Sequence, residues 1–191
     1  MPILRREPDL FPDDFLGRPE VGSETERVWW AVHTLPRREK ALVRRLRVLD
    51  VWHYLPQREH RFRSPKGRNR VSYVPLFPGY LFIYGSDSQR QQAVDTGCLA
   101  RILHVLDGAK LTADLRQIKL LTDSGLPLTP EATLEPGVAV RVTSGPFHGF
   151  EGRLLKRHSG DQLLVLVNYL QQGISISLGN WEVERIISSD A

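Results

Sequence analysis

Two clusters of cations offer the most direct chemistry in this chain, the neutralisation of phosphate. Arg37, Lys40, Arg44 and Arg47 recur at spacings that place them on one face of a helix at about 100° per residue. Arg61, Arg63, Lys66 and Arg68 follow on a charged arm with a turn at Ser64-Pro65-Lys66-Gly67, and its extended reach suits a phosphate strand. Contacts to a nucleic-acid backbone need no fixed spacing, so neither cluster implies base readout. The helical stripe is the first candidate for contact with a polyanion and the arm the second; a solvated charged face is the alternative for both.

A second kind of chemistry is apolar. In Val74-Pro75-Leu76-Phe77-Pro78-Gly79-Tyr80-Leu81-Phe82-Ile83-Tyr84, the two prolines belong at a strand entry or edge, and Gly79 permits a close backbone approach. Tyr80 to Tyr84 then reads as a strand with Tyr80, Phe82 and Tyr84 on one face and Leu81 and Ile83 on the other. Both faces are apolar, so the strand is sandwiched or keeps one face for a partner.

Nothing in the sequence spells catalysis or metal binding. The six histidines form no His-x-x-x-His pair or zinc helix, and no phosphate-binding glycine loop or nucleophile elbow occurs. Cys98 follows Gly97 without a nearby base and reads as a small buried hydrophobe. The expectation is a binding protein without cofactor, metal or enzymatic activity.

These groups need elements to position them. At 191 residues and 41% hydrophobic content the chain suits one or two small domains. A single cysteine excludes a disulfide framework and fits a reducing, cytoplasmic location, and no apolar run approaches the ~20 residues of a membrane span. The net charge of +4 is uneven. Residues 1–28 sum to −3, residues 29–125 to +9 and residues 126–191 to −2, so the footprint for a polyanion lies wholly in the middle block.

Residues 1–28, with four prolines, many charges and no sustained period, read as a disordered extension. Trp29–Thr34 is a β-rich run, and Pro36 opens a helix from Arg37 to Leu49 that buries Leu42, Leu46 and Leu49. Val51–Pro56 is a strand, residues 57–70 the arm, Gln89–Asp95 a short helix with Gly97 as C-cap, and Ala100–Val105 a strand. A helix from Thr112 to Thr122 buries Leu115, Ile118 and either Leu121 or Leu120. The order β-α-β-β-β-α-β-α describes an antiparallel-rich α+β sandwich over residues 29–123. Residues 124–136 read as a Pro/Gly linker, and 137–187 as a small all-β barrel of about five short strands.

The barrel segment Val140-Arg141-Val142-Thr143-Ser144-Gly145-Pro146-Phe147-His148-Gly149-Phe150-Glu151-Gly152 resembles the KOW motif, with Gly145, Gly149 and Gly152 as its turn glycines. Together with Trp29-Trp30-Ala31-Val32-His33-Thr34 and the Phe77-Pro78-Gly79-Tyr80 strand in this order, the chain resembles the bacterial NusG family of transcription elongation factors over about residues 29–187. The resemblance implies a NusG N-terminal α/β sandwich joined to a KOW barrel of SH3-like form. It implies that the N-terminal domain binds RNA polymerase, with Tyr80 and Phe82 meeting the clamp helices of the β′ subunit and His33 bordering the patch. On that reading the cationic stripe lies beside upstream duplex or non-template DNA.

Two departures from the family pattern bear on partners. Specialised members contact the β gate loop through a polar His-Thr-Thr stretch, where this chain has Gln89-Arg90-Gln91-Gln92. Housekeeping members carry a Phe-Gly-Arg turn, where this chain has Val167-Asn168-Tyr169-Leu170-Gln171-Gln172-Gly173-Ile174. The second departure looks closer to specialised paralogues that promote antitermination on particular operons. Gly160, Gly173 and the β-branched Val165, Val167, Ile174 and Ile176 favour a barrel that stays β. A housekeeping regulator that couples polymerase to Rho or to a ribosomal protein is one alternative, and an RNA- or ribosome-binding KOW module is another.

Overall fold

The computed structural model describes residues 7–22, 26–64, 67–131, 137–157 and 160–186. The chain divides into two units, Met1–Ala113 and Asp114–Ala191. In the first unit, β1 (Leu10–Phe11), β2 (Val28–Thr34), β3 (Trp52–Tyr54), β6 (Tyr80–Gly85) and β7 (Leu99–His104) form an antiparallel sheet ordered β1-β3-β6-β2-β7. Strands β4 (Gln57–Arg63) and β5 (Asn69–Pro75) pair only with each other, as a separate two-stranded arm. Helices α1 (Glu39–Val48) and α2 (Asp87–Asp95) follow β2 and β6, and α3 (Gly108–Asp123) runs across the division between the units. This is the α+β arrangement that the order of periodic segments predicts.

Strand alternation makes two different cores from one sheet. Val32, Leu81 and Ile83 point to the face covered by α1 and α2, where Leu42, Val43, Leu46, Val51, Leu55, Ala93 and Cys98 complete an aliphatic cluster. The opposite face is aromatic: Phe15 lies 5.7 Å from both Trp29 and Trp52 and 6.4 Å from Tyr84, and Trp29 meets Phe82 edge-on at 87°. Each fully buried ring or leucine contributes roughly 1.5–3 kcal/mol. The Trp29 indole also donates to the Thr112 hydroxyl at 2.8 Å, which satisfies its one polar atom.

The N-terminal residues differ from the expected disordered extension. Leu10, Phe15, Leu16 and Val21 are buried, and β1 pairs with β3 in the register Leu10–Tyr54 and Phe11–His53. The reason lies in two apolar pairs, Leu10-Phe11 and Phe15-Leu16, that close one sheet edge and cap the aromatic face among otherwise charged residues.

Local chemistry sets the helix limits. Helix α1 starts at Glu39 rather than Arg37, because Arg37 sits at φ 62°, and Leu49 is 38% exposed beyond the helix end. Helix α2 starts at Asp87 because Ser86 and Gln89 form a capping box, the Ser hydroxyl accepting from the Gln89 amide and the Gln89 side chain from the Ser86 amide. Its C-cap is Thr96, with Gly97 next at φ 64°. In α3 the buried residues are Leu115, Ile118 and Leu121, while Leu120 is exposed.

Among its described residues the second unit is all-β apart from its share of α3 and one 3-10 turn. Strands β8 (Thr129–Glu131), β9 (Val138–Val142), β10 (Glu151–Arg157), β11 (Gly160–Val167), β12 (Gln172–Ser177) and β13 (Val183–Arg185) form a sheet ordered β13-β9-β10-β11-β12-β8. Val140, Val142, Leu155, Leu163, Leu164, Val165, Val167, Ile174 and Ile176 are buried in it. Thr129–Glu131, inside the expected linker, pairs with β12, and Ser175 donates to the Glu131 carboxylate at 2.6 Å. No helix among the described residues is long and apolar enough to cross a membrane.

Candidate partner-binding surfaces

The registers of β2, β6 and β7 bring separate parts of the sequence into rows on the aromatic face. His33 sits opposite Tyr80 on one side and Arg101 on the other; Ala31 sits between Phe82 and Leu103. Trp29 and Tyr84 form the next row, the one under Phe15. The aromatic face is thus covered at one end. At the other end His33 and Arg101 are exposed, Tyr80 is half-buried and Leu103 is 41% exposed.

Turn chemistry aims this open end. Tyr80 N–H donates to the Phe77 carbonyl at 3.0 Å and closes the turn, in which Gly79 has φ 80°. The Gly79 carbonyl accepts from the Thr34 amide at 2.8 Å, and its N–H donates to Glu39 Oε1 at 3.0 Å. A Cβ at Gly79 would lie 3.2 Å from His33 Nε2, so the absent side chain leaves room for the imidazole. The turn is held from β2 and from the first turn of α1 at once.

The three residues expected at the polymerase surface therefore separate. His33 and Tyr80 stand together at the open end. Phe82 is 0% exposed and belongs to the core, which corrects its expected place on a surface. Phe82 lies one row nearer the covered end on the same face and packs against Trp29, so it borders the patch from the covered side.

The cationic stripe on α1 is mostly engaged within the chain. Lys40 Nζ donates to the Tyr73 carbonyl at 2.6 Å, Arg44 pairs with Glu7 at 2.6 Å, and the Arg47 guanidinium lies 5.6 Å from the Phe11 ring centroid. Arg37 is exposed at the head of the helix. The stripe thus ties the arm and the N-terminal segment to α1, which weakens it as the leading DNA surface. On the arm, Arg61, Arg63 and Arg68 are exposed; Arg61 bonds Glu59, and Arg63 Nε donates to the Gly67 carbonyl at 3.2 Å. Lys66 lies outside the described residues.

Of the Gln89-Arg90-Gln91-Gln92 stretch, Gln89 serves the capping box and Arg90 bonds Asp87 at 2.6 Å. In the second unit, Gly145 and Gly149 take φ 86° and 88° around Pro146-Phe147-His148, and Gly149 N–H donates to the Val142 carbonyl at 2.8 Å. At Gly152 a Cβ would fall 2.5 Å from the Leu164 carbonyl, so only glycine lets β10 approach β11 there. Phe147, Phe150 and Trp181 pack together beside this turn, with centroids 5.0 and 5.2 Å apart. Asn168 donates twice to Asp114 Oδ2, at 3.0 and 3.1 Å. Among the described residues, no group of three or more His, Cys, Asp or Glu is placed to hold a metal ion.

Sequence reasoning missed Arg101 and Leu103, because only the β2–β7 register places them beside His33. It also missed His53, buried under Phe11 with ring centroids 5.7 Å apart.

The sheet, helices α1 and α2 and the paired arm define an α+β domain, and part of it matches a known family. Residues 27–117 match the family described as "Transcription termination factor nusG". No curated protein matches the chain. The solved structure "Crystal Structure of MjSpt4:Spt5 complex conformation B" is similar over 84% of this chain and 99% of that one, at 12% identity and a TM-score of 0.29.

Proposed function

We propose that this protein is a transcription elongation factor that binds RNA polymerase through the open end of its aromatic sheet face. The observation that carries the reading is the coincidence of the family match at residues 27–117 with an exposed His33–Tyr80 pair within it. A half-buried aromatic beside an exposed imidazole, with Arg101 and Leu103 adjacent, is the mix of apolar anchor and polar rim that protein interfaces use. The partner surface is the clamp helices of the β′ subunit. Cations of the arm and Arg37 face upstream or non-template DNA in the complex, and contact with the β gate loop is a weaker expectation because Gln89 and Arg90 are occupied within α2.

Processive, operon-specific antitermination is the form of this activity that the Val167–Ile174 sequence favours, with the second unit as a KOW barrel recruiting a further partner. The family description names termination, which keeps a second reading in view: a housekeeping regulator whose second unit couples polymerase to Rho or to a ribosomal protein. A run-through assay on a Rho-dependent template separates them. Increased read-through supports the antiterminator, and earlier termination supports the housekeeping role. The polymerase reading itself is tested by titrating core RNA polymerase with the full chain and with its Tyr80→Ala variant.

A further inference from the structure

We infer that residues 7–11 form a proton-released strap. It docks on β3 while His53 is neutral and lifts away when that imidazole takes up a proton, the rest of its unit staying folded. Few contacts hold the strap. The Glu7 carbonyl accepts from Gln57 Nε2 at 2.9 Å, and the Asp9 carbonyl from the Leu55 amide at 2.7 Å. Strand β1 adds the pairs Leu10–Tyr54 and Phe11–His53. The Glu7–Arg44 ion pair, at 2.6 Å, lies partly in solvent, where such a pair contributes little. Leu10 is the one buried apolar side chain of the five residues, Phe11 is half-buried and Pro8 is exposed. The next anchor is Phe15, beyond the exposed Asp13 and Asp14. A short edge segment with so little apolar burial opens at a lower free energy than the unit as a whole.

Beneath it lies an imidazole that cannot accept charge in place. His53 is fully buried, and its Nδ1 lies 2.8 Å from the Val51 carbonyl. A carbonyl only accepts, so Nδ1 carries the hydrogen and Nε2 is the basic nitrogen. Nε2 is buried and has no hydrogen-bond partner among the described residues. A proton added there would make a second N–H with no acceptor, under the Phe11 ring that stacks on the imidazole at 5.7 Å and 25°. The groups around it do not help. Helix α1 presents Arg47, a cation, and β6 presents Ile83 opposite in register. The strap brings Phe11, with Glu7 held on Arg44 and Asp9 two residues before the ring.

Lifting Phe11 uncovers the ring and gives Nε2 water. The open strap therefore lets His53 titrate near its ordinary 6.5, while burial under the closed strap holds it down to about 4. The closed form binds fewer protons, so each pH unit below 6.5 favours the open strap about tenfold, until the closed form titrates as well. Release also frees Arg44 from Glu7 and Arg47 from Phe11, and it uncovers the edge of β3. None of this depends on polymerase binding, and it is measured without polymerase.

The test is amide hydrogen exchange of the full chain by NMR at pH 7.5 and 5.0, corrected for intrinsic exchange rates, with and without about 1 M urea. The Leu55 amide, which bonds the strap, should be at least about tenfold less protected than the amides of the central strand β2 at both pH values. Its exchange should barely respond to urea, because little surface opens, whereas β2 exchange should accelerate. From pH 7.5 to 5.0 its protection should fall about thirtyfold, the factor for the 1.5 pH units below 6.5. His53→Phe should reduce that change to within about twofold, which separates the imidazole from Glu7 and Asp9. Phe11→Ala leaves His53 in place but uncovers it, and should shrink the change to below about threefold, which guards against a folding defect in the His53 variant. The inference is overturned if Leu55 and β2 share one protection level and one urea response, if Leu55 protection is independent of pH, or if both variants keep the thirtyfold change.

Discussion

The His33 and Tyr80 rings lie 4.8 Å apart across the β2–β6 register, tilted by 53°, at the one end of the aromatic sheet face that the N-terminal segment leaves open. The pair joins two sequence segments 47 positions apart and puts a polar ring beside an apolar one on the surface. Two residues along the same strand, Phe82 is fully buried.

That contrast makes the first prediction. Tyr80→Ala should change stability by no more than about 1–2 kcal/mol, because the ring is half-buried, and should weaken polymerase binding at least tenfold. Phe82→Ala should cost about 3–5 kcal/mol through the cavity it leaves. Urea unfolding of both variants checks the assignment; equal destabilisation would place Tyr80 in the core as well.

The N-terminal segment should behave as part of the domain. Phe15 is 0% exposed and touches Trp29, Trp52 and Tyr84, so Phe15→Ala should destabilise by about 3–5 kcal/mol. Its four-ring cluster also supplies the reporter, since tryptophan emission should shift to the red in the variant before unfolding begins. A loss below about 0.5 kcal/mol, the range of an ordinary surface change, would mean that the segment only rests on the sheet.

Much of the architecture was legible because periodicity is strong where one face is buried. Leu42 and Leu46 on α1, the alternation in β6 and the turn signals of the second unit all led to elements of the right type. Phe82 was misplaced because alternation shows which residues share a face and says nothing about what covers it. Phe82 meets Trp29 edge-on, and Trp29 in turn meets Phe15, whose segment holds two short apolar pairs too brief to show a period among prolines and acids. The α1 cations illustrate the same limit: their helical spacing is real, but Glu7, Phe11 and the Tyr73 carbonyl reach them only in three dimensions. Arg101 and Leu103 join the patch by strand order alone.

Buried His53 should make stability depend on mild acid. Burial pushes its imidazole from an ordinary value near 6.5 down to about 4, with Arg47 adding to the effect and the Val51 carbonyl, 2.8 Å from Nδ1, opposing it. The unfolded chain then binds a proton that the folded chain refuses. Stability from this group is complete above pH 6.5 and is lost as pH falls through the window from 6.5 to 4, by roughly 3 kcal/mol in all. Asp14 and Asp87 are held below the usual carboxylate range by hydrogen bonds from Arg18 and Arg90, so their contributions fall away only at lower pH. Urea midpoints at pH 7.5 and 4.5 should differ in the native chain and converge in His53→Phe; an unchanged difference would assign the effect to other groups.

Gly79→Ala should strain the turn and disturb the patch together. The φ of 80° is unfavourable for alanine by about 1 kcal/mol, and the new methyl would press on His33 Nε2 at 3.2 Å. The variant should melt several degrees lower, show a shifted His33 imidazole signal by NMR, and bind polymerase less well. An unmoved His33 signal would separate the turn from the patch.

The proposed polymerase surface is the open end of this sheet face. Its most direct test is the affinity of core RNA polymerase for the folded full chain and for the folded double variant His33→Ala, Tyr80→Ala, measured side by side. The native chain should bind tightly and the double variant at least about a hundredfold more weakly, the size expected of a central interface pair. Binding unchanged within about twofold, with both proteins shown to be folded, would contradict it.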